Sequence, residues 1–320
     1  MKLAKKLITL ASIGGLSLTV IHFINKFISY SSTLDDLLSE DEEKTYNWRF
    51  GDIFYTKEGE GKPLLLIHDL TSCSSRYEWN QLRKDLSKEY TVYTIDLLGC
   101  GRSDKPNLTY TNFLYVQLIC DFIKNVIKDK TDMIVSGNAG SIGLMSALND
   151  DSIINQIILI NPQNLEELSK IPTKRAKTAK FILDMPIIGT MIYNIIHSKE
   201  NISAQLITEG FYNPANVSED IVKAYYEAAH NNHGYSKYLF SSIQSQYMNA
   251  NILHCLRKLD NSIYILTSDG DPENLANAKA YKNIMPSIEI IELSNVKQLP
   301  HLESPVKVLE QIKILFAEKM

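Results

Sequence analysis

Asp132-Met-Ile-Val-Ser-Gly-Asn-Ala-Gly-Ser-Ile-Gly143 is the stretch of this chain that decides its fold. Residues 133–135 are apolar, which predicts a buried strand. Residues 137–140 are small or turn-forming and predict a tight turn directly after it. The rest of the stretch is typical of the beginning of a helix. The order of strand, sharp turn and helix is therefore the first structural prediction.

The same alternation of strands and helices extends on both sides, from Trp48 to the C-terminus. Continuous apolar runs bounded by turn residues predict strands that are buried on both faces. The predicted strands are residues 48–50, 52–56, 63–68, 91–96, 133–135, 153–161, 262–268 and 288–293. The predicted helices are residues 79–88, 110–127 (with an apolar stripe at Phe113, Val116, Ile119, Phe122 and Ile123), 274–284 and 305–316. This pattern predicts an α/β fold with a mainly parallel sheet that helices cover on both faces.

Between residues 163 and 250 the rhythm changes to helical spacing without a buried strand. An insertion at this point fits over the carboxyl edge of the sheet, where ligands bind in open α/β folds. We predict four regions: an N-terminal membrane or signal-like helix (1–31), an acidic linker (32–46), a core (47–162 and 251–320) and a helical cap (163–250) inserted after the sixth core strand.

The composition narrows the classes of function. Hydrophobic residues make up 44% and charged residues 22% of the 320 residues, which is enough for a sizeable core. The net charge of −4 argues against a nucleic-acid partner. The four cysteines, Cys73, Cys100, Cys120 and Cys255, lack the spacing of a zinc or redox motif. We therefore expect no metal and no cofactor.

The N-terminal segment contains 19 residues, 7–25, without Asp, Glu, Lys or Arg. That length just spans a bilayer core. A single-pass anchor, a signal peptide and a helix lying in the membrane interface all fit, since several polar residues dilute the hydrophobicity. We expect a membrane anchor, and the lysines before it weakly favour an extracytoplasmic globular domain.

Several spaced motifs give the chain a resemblance to the α/β-hydrolase family, in its cap-bearing branch. They are His68-Asp69 after the third strand, Asp96-Leu-Leu-Gly-Cys-Gly-Arg-Ser-Asp-Lys-Pro106 after the fourth, the elbow Ser136-Gly-Asn-Ala-Gly140, Asp269-Gly-Asp271-Pro272 and Pro300-His-Leu-Glu-Ser-Pro305. The stretch Ser74-Ser-Arg-Tyr-Glu-Trp79 is similar to dehalogenase-type and epoxide-hydrolase-type members, which use an Asp nucleophile. The resemblance implies an α/β-hydrolase fold from about Trp48 onward.

The resemblance also implies where a nucleophile, an acid and a base would stand. The nucleophile position is Asn138, which we expect to take the left-handed backbone of the elbow. The acid position is Asp271, which can equally be a turn residue before Pro272. The base position is Gln298, which cannot shuttle a proton near neutral pH. The family's triad is therefore degenerate.

Two other residues are alternatives for the lost groups. Ser141 lies in a variant A-x-S-x-G frame, although the register of the strand places it in the first turn of the helix. His301 lies three residues after Gln298, where the family often has a second, structural histidine. The oxyanion and pocket region implied by the resemblance contains His68, Asp69, Ala139 and Trp79. Asp69 replaces a glycine, and its carboxylate would oppose an oxyanion.

Three hypotheses of function follow from these residues. The first is a non-catalytic, membrane-tethered protein that binds a small apolar or amphiphilic ligand, or a partner, in the old pocket. The second is a hydrolase of an ester-like or related small substrate, with Ser141 or a deamidated Asn138 as nucleophile, His301 as base and Asp271 orienting it. The third is non-hydrolytic chemistry with His68 or His301 as acid or base. The joint departures at Asn138, Gln298 and Asp69 favour the first.

Overall fold

The computed structural model describes residues 2–40 and 43–317. Met1, Asp41, Glu42 and residues 318–320, which fall in the predicted N-terminal helix, linker and core, lie outside the described residues. Within the described part, eight strands form one sheet. The strands are β1 (Lys44–Trp48), β2 (Gly51–Glu58), β3 (Lys62–Ile67), β4 (Tyr90–Ile95), β5 (Thr131–Ser136), β6 (Ile154–Ile160), β7 (Ser262–Ser268) and β8 (Glu289–Leu293).

The strand order is β1-β2-β4-β3-β5-β6-β7-β8. β2 pairs antiparallel with β1 and with β4, and the other neighbouring pairs are parallel. The prediction of a mainly parallel α/β sheet is therefore confirmed. The parallel strands place their carboxyl ends at one edge, which is the edge that carries ligand sites in open α/β folds.

Helices flank the sheet on both faces, form the cap and form the N-terminal segment. They are α1 (Lys2–Ser32), α2 (Asn80–Leu86), α3 (Asn112–Phe122), α4 (Gly140–Asn149), α5 (Leu165–Leu168), α6 (Lys174–Asp184), α7 (Ile188–Ile196), α8 (Lys199–Gln205), α9 (Glu219–Gly234), α10 (Lys237–Gln244), α11 (Leu253–Lys258), α12 (Pro272–Ile284), α13 (Pro300–Glu303) and α14 (Pro305–Ala317). Helices α5 to α10 form the cap between β6 and β7, and residues 163–250 contain no strand.

The core lies on the two faces of the sheet, and β3 shows the division. All four residues from Leu64 to Ile67 are buried. Leu65 and Ile67 belong to one hydrophobic cluster, and Leu64 and Leu66 belong to another. Successive side chains of a strand point to opposite faces, so a continuous apolar run is what a doubly covered strand requires.

Some predicted boundaries and one predicted core residue are wrong. The first hairpin begins at Lys44 rather than Trp48. The helix predicted from residue 110 begins at Asn112, because the Thr111 side chain accepts a hydrogen bond from the Leu114 backbone and caps it there. Phe113 is 67% exposed and does not face the core. The first turn of α3 directs Asn112 inward instead.

Helix α1 docks its C-terminal part on the cap. The Asn25 amide donates to the Ile187 carbonyl oxygen at 3.1 Å and accepts a bond from the Asn194 amide at 2.9 Å. The Ser29 hydroxyl donates to the His230 carbonyl oxygen at 2.9 Å.

In the part of the chain that the structure describes, no helix by itself has the length and hydropathy to cross a bilayer. Helices α6 and α7 meet that measure only as a pair bent by 101°.

Candidate functional site

A cavity of about 570 Å³ lies between the core and the cap, at the carboxyl edge of the sheet. The core contributes the loops after β3 and β8 and the turn after β5, and the cap contributes α7 to α10 and the segment 206–210 after α8. Its lining residues are Asp69, Leu70, Thr71, Ser72, Cys73, Ser74, Asn138, Ile196, His197, Ile202, Gln205, Leu206, Glu209, Gly210, Tyr225, Phe240, Ile243, Gln244, Gln298 and Leu299. The volume and the mostly apolar wall are those of a small-molecule site.

The turn after β5 has its strained residue at Gly137, which has a φ of +53°. The expectation that Asn138 takes this left-handed conformation is wrong. Only glycine suits the position, because a Cβ at Gly137 would overlap the Asp69 carboxylate. Ala139 is fully buried in the short turn that follows, and α4 begins at Gly140.

The Asp69 carboxylate occupies the point where the two loops meet. Its Oδ1 accepts the backbone N–H of Leu70 at 2.7 Å and the backbone N–H of Asn138 at 2.7 Å. At a strand-turn-helix elbow of this kind, the oxyanion donors are an N–H of the loop after β3, where Leu70 lies, and the N–H of the residue after the nucleophile position, which is Ala139 here. Asp69 thus occupies the N–H of Leu70 on the first of these loops and the N–H of Asn138 at the nucleophile position itself.

The environment of Asp69 also changes its acidity. Burial raises its pKa to about 7, and the neighbouring Glu78 carboxylate adds to the rise. The hydrogen bonds from Asn138 and Leu70 act in the opposite direction but do not cancel it. Asp69 is therefore a buried carboxyl group that changes its charge near neutral pH.

Glu78 lies behind Asp69 and is fully buried. Its Oε2 accepts the Asp69 backbone N–H at 2.9 Å, and its Oε1 accepts the Tyr225 hydroxyl at 3.0 Å. Burial by itself would raise the pKa of Glu78, but the hydrogen bond and charge of His301, at 3.4 Å from Oε2, lower it below its usual range. Glu78 thus links the Asp69 loop, Tyr225 of the cap and His301 beneath the cavity wall.

The predicted histidines are both held away from the cavity. His301 is fully buried and stacks on Trp79 with ring centroids 4.6 Å apart. Its Nε2 lies beside the Glu78 carboxylate rather than in the cavity. His68 accepts the Leu97 backbone N–H at Nε2 and donates from Nδ1 to the Asp69 carbonyl oxygen. Both ring nitrogens of His68 are therefore used to hold the loop. His68, His301 and Trp79 are not among the described cavity-lining residues.

The structure brings some predicted positions together and separates others. Asn138, Asp69 and Gln298 line the cavity. Asp271 caps α12 by accepting the Glu273 backbone N–H at 3.0 Å, which is the turn role that the sequence left open. The Ser141 hydroxyl accepts a bond from the Asn112 amide at 3.1 Å, between α3 and α4. Ser141, Asp271 and His301 are not among the described residues of the cavity wall.

Sequence reasoning missed a pair of residues in the same wall. The Ser72 hydroxyl lies 3.0 Å from Nε2 of His197, although 125 positions separate them in the chain. Ser72 follows the predicted oxyanion loop, which could have marked it as a pocket residue. His197 ends α7 in the cap, and no local pattern marks it.

Over residues 2–40 and 43–317, no group of three His, Cys, Asp or Glu residues is placed to hold a metal ion.

Comparisons with known proteins agree with this geometry. The sequence profile of the Alpha/beta hydrolase family matches residues 64–311. The 2-hydroxy-6-oxo-6-(2'-aminophenyl)hexa-2,4-dienoic acid hydrolase of Metapseudomonas resinovorans is 28% identical over 135 residues, which are 40% of this chain and 47% of that protein. The soluble epoxide hydrolase of Corynebacterium sp. (strain C12) is 25% identical over 107 residues, which are 33% of this chain and 37% of that protein. The chain thus matches less than half the length of these curated relatives.

Solved structures match over a larger part of the chain. An epoxide hydrolase without ligand superposes with a TM-score of 0.72 at 17% identity, covering 87% of this chain and 99% of that chain. A membrane phospholipase A, described as a bacterial virulence factor, superposes with a TM-score of 0.68 at 15% identity and covers 99% of both chains. At these identities the likeness shows the fold alone.

Proposed function

The chain belongs to the alpha/beta hydrolase family, and we propose from that premise that it is a membrane-tethered member that binds a small apolar or amphiphilic molecule beneath its cap. We propose also that it does not hydrolyse esters through the positions that carry the family's catalytic triad. The proposal has three parts, which are the membrane tether, ligand binding and the absence of ester hydrolysis through the triad positions, and each rests on a different feature of the molecule.

The observation that carries the part of the proposal on ester hydrolysis is the position of Asp69. Its Oδ1 takes the two backbone N–H groups of Leu70 and Asn138 and fills the space beside Gly137. An oxyanion formed beside this turn would compete with Asp69 for the Leu70 N–H and would lie against a carboxyl group, whose negative charge opposes that of the transition state. The amide groups of Asn138 and Gln298 add neither a nucleophile nor a proton acceptor.

The binding part is supported by the wall of the cavity. Its apolar residues include Ile196, Ile202, Leu206, Phe240, Ile243 and Leu299. Polar groups stand among them on the core loops, at Asp69 and Gln298, and on the cap, at Gln205 and Gln244. A mostly apolar wall with a few polar groups suits a molecule with an alkyl part and a polar end.

The membrane part is supported by α1 and by one structural relative. The described residues of α1 expose the large apolar side chains of Leu18, Val20, Phe23, Ile24, Phe27 and Tyr30. A helix of 31 residues is about 46 Å long at 1.5 Å per residue, so most of it extends beyond the docked end at Asn25 and Ser29. The relative that covers 99% of this chain, and hence α1, is a membrane phospholipase.

Ligand binding is tested with a fluorescent fatty-acid analogue that is displaced by alkyl carboxylates and lysophospholipids. The variant Ile243→Trp places an indole in the cavity wall and is expected to weaken binding at least about tenfold. The matched control is Ile314→Trp, on an exposed part of α14. If the folded wild type binds no probe, or binds it equally well after Ile243→Trp, the binding proposal is wrong.

Membrane association is tested by flotation of the full chain with phosphatidylglycerol and phosphatidylcholine vesicles. The double variant Leu18→Glu/Phe23→Glu is expected to remain unbound, because two charges replace apolar side chains on the exposed face of α1. The matched control is Phe113→Glu, which changes a phenylalanine on α3 that is 67% exposed, close to the 64% of Phe23. Equal flotation of all three proteins contradicts the tether.

A further inference from the structure

Ser72 and His197 form a hydrogen-bonded pair inside the cavity, on residues that have no role in the family's catalytic positions. The Ser72 hydroxyl lies 3.0 Å from Nε2 of His197. Both residues line the cavity and are otherwise shielded from solvent, with exposures of 2% and 7%. A nucleophile within hydrogen-bond reach of a base, with the base oriented by a third group, is the arrangement that activates a serine.

The third group is the main-chain carbonyl of Tyr193. It lies 3.0 Å from Nδ1 of His197, so the ring carries its proton on Nδ1 and directs the Nε2 lone pair at Ser72. The ring is fixed between Tyr193, at a centroid distance of 4.1 Å, and the ring of Phe240, at 4.7 Å and nearly perpendicular. Packing on both sides leaves the imidazole little freedom to turn away from the hydroxyl.

The surroundings keep the imidazole uncharged. Burial lowers the pKa of His197 to about 4, and burial also lowers the pKa of nearby His230 to about 4. Burial raises the pKa of the Cys73 thiol to about 12 and raises the pKa of the Tyr193 phenol well above its usual value. Glu209 lines the same cavity from the solvent-exposed side of the cap. A neutral His197 can accept a proton at physiological pH.

The other candidate nucleophiles in this loop are less well placed. The hydroxyls of Thr71 and Ser74 bond to each other at 2.8 Å. The Cys73 thiol stays protonated because burial raises its pKa, and a protonated thiol is a poor nucleophile. Among the described hydroxyl and thiol groups of this loop, Ser72 is the one paired with an imidazole nitrogen.

We propose that Ser72 and His197 are the nucleophile and base of an acyl-transfer site on esters with a short apolar acyl chain. This inference goes beyond ligand binding, which does not require it. Ser72 Oγ bonds to the ester carbonyl carbon while its proton passes to Nε2 of His197. The bond from that carbon to the leaving oxygen then breaks, and the leaving oxygen takes the proton from Nε2. Water releases the acid from Ser72 by the same two steps.

The pair predicts slow chemistry rather than fast turnover. A neutral carbonyl, not a carboxylate, faces the imidazolium that forms in the transition state, so that charge is less well stabilised. A base with a low pKa also accepts the proton less readily. The acyl group can settle among Ile202, Leu206 and Leu299, and the side-chain amide of Gln298 in the same wall can donate to the carbonyl oxygen.

The full chain is incubated with p-nitrophenyl butyrate and, in parallel, with a small fluorophosphonate. The readouts are the release of p-nitrophenolate and the mass of the tryptic peptide that contains Ser72 and ends at Arg76. We compare the wild type with Ser72→Ala, with His197→Gln and with the control Ser141→Ala, whose hydroxyl lies outside the cavity wall. The glutamine of His197→Gln can still bond to Ser72 and to the Tyr193 carbonyl, so it keeps the structure and removes only the base.

The proposal expects one adduct per chain on Ser72 in the wild type and in Ser141→Ala, none in Ser72→Ala, and labelling at least about tenfold slower in His197→Gln. It also expects a labelling rate that is flat between pH 5 and 8, since an ordinary histidine base would lose half its activity near pH 6.5. No adduct on the folded wild type, an adduct on another residue, or equal labelling of His197→Gln would overturn the proposal. Displacement of the fluorescent fatty acid, measured on unlabelled portions of the same proteins, decides separately whether the ligand-binding proposal stands.

Discussion

The replacement Asp69→Asn tests how much the buried negative charge of Asp69 destabilises the folded protein. The change conserves shape, and the amide oxygen of asparagine can accept the same N–H groups from Leu70 and Asn138. What it removes is the negative charge beside the Glu78 carboxylate. The variant therefore separates the electrostatic cost of Asp69 from its hydrogen bonds.

The magnitude follows from the pKa of Asp69. Its value rises from 3.8 to about 7 in the folded protein, so the folded state binds this proton more tightly than the unfolded chain does. The contribution of Asp69 to the free energy of unfolding therefore falls as the pH rises from about 4 to about 7. A difference of about three pKa units sets a ceiling of about 4 kcal/mol on this loss. Asp69→Asn lacks the titrating group and lacks the loss.

The opposite behaviour of Glu78 lies below the pH range of the measurement, which runs from pH 5 to 8. Its pKa is lowered in the folded state, so its contribution to stability is present above its unfolded value of 4.5 and is lost as the pH falls below it. Between pH 5 and 8 that contribution is constant. Urea unfolding is measured on the wild type and on Asp69→Asn at four pH values in this range. The difference between their free energies of unfolding reports on Asp69, because the buried histidines are present in both proteins and cancel.

We expect Asp69→Asn to gain stability over the wild type as the pH rises, with most of the change complete by about pH 7.5. The control is Asp271→Asn, where an asparagine can still cap α12. The reasoning is refuted if the stability difference between Asp69→Asn and the wild type stays constant from pH 5 to 8. A difference that falls as the pH rises would refute it more strongly, because Asp69 would then be a net stabilising anion.

Two further substitutions test the packing around the site. Gly137→Ala should destabilise the protein by about 1–3 kcal/mol in urea unfolding, because the φ of Gly137 is positive and the new Cβ meets the Asp69 carboxylate. Adding Asp69→Gly should recover part of this loss. Strictly additive effects of the two substitutions would contradict the contact. Arg76→Ala should cost about 3–5 kcal/mol, because it leaves the Asp96 carboxylate buried without its ion pair at 2.6 Å. The exposed Arg49→Ala should cost under about 1 kcal/mol by the same measurement, and similar losses in the two arginine variants would refute the argument from burial.

The sequence determined the fold through features that act locally. Strand β7 spans Ser262–Ser268 and α14 begins at Pro305, both as predicted, because an apolar run and a proline at a helix start act within a few residues. The strand, turn and helix around Gly137 also follow from their own residues. The prediction that Phe113 faces the core is wrong, because the first turn of α3 buries Asn112, which donates to Ser141 on α4, and leaves Phe113 exposed.

The sequence also located part of the candidate site. Asn138, Gln298 and Asp69 were predicted at positions that follow strands, and the carboxyl ends of parallel strands share one edge, so these residues meet at the cavity. The order of strand and loop is sufficient for that result. It does not fix which atoms within each loop turn toward the cavity.

Only the tertiary structure decided those directions. Asn138 lies 69 positions from Asp69, and the convergence of their loops makes Gly137, not Asn138, the strained residue. His301 turns to Glu78 across 223 positions, and Ser72 meets His197 of the cap across 125. Each of these contacts depends on how separate elements pack, because a hydrogen bond is decided within a few tenths of an ångström and no local pattern in the sequence specifies distances between remote segments.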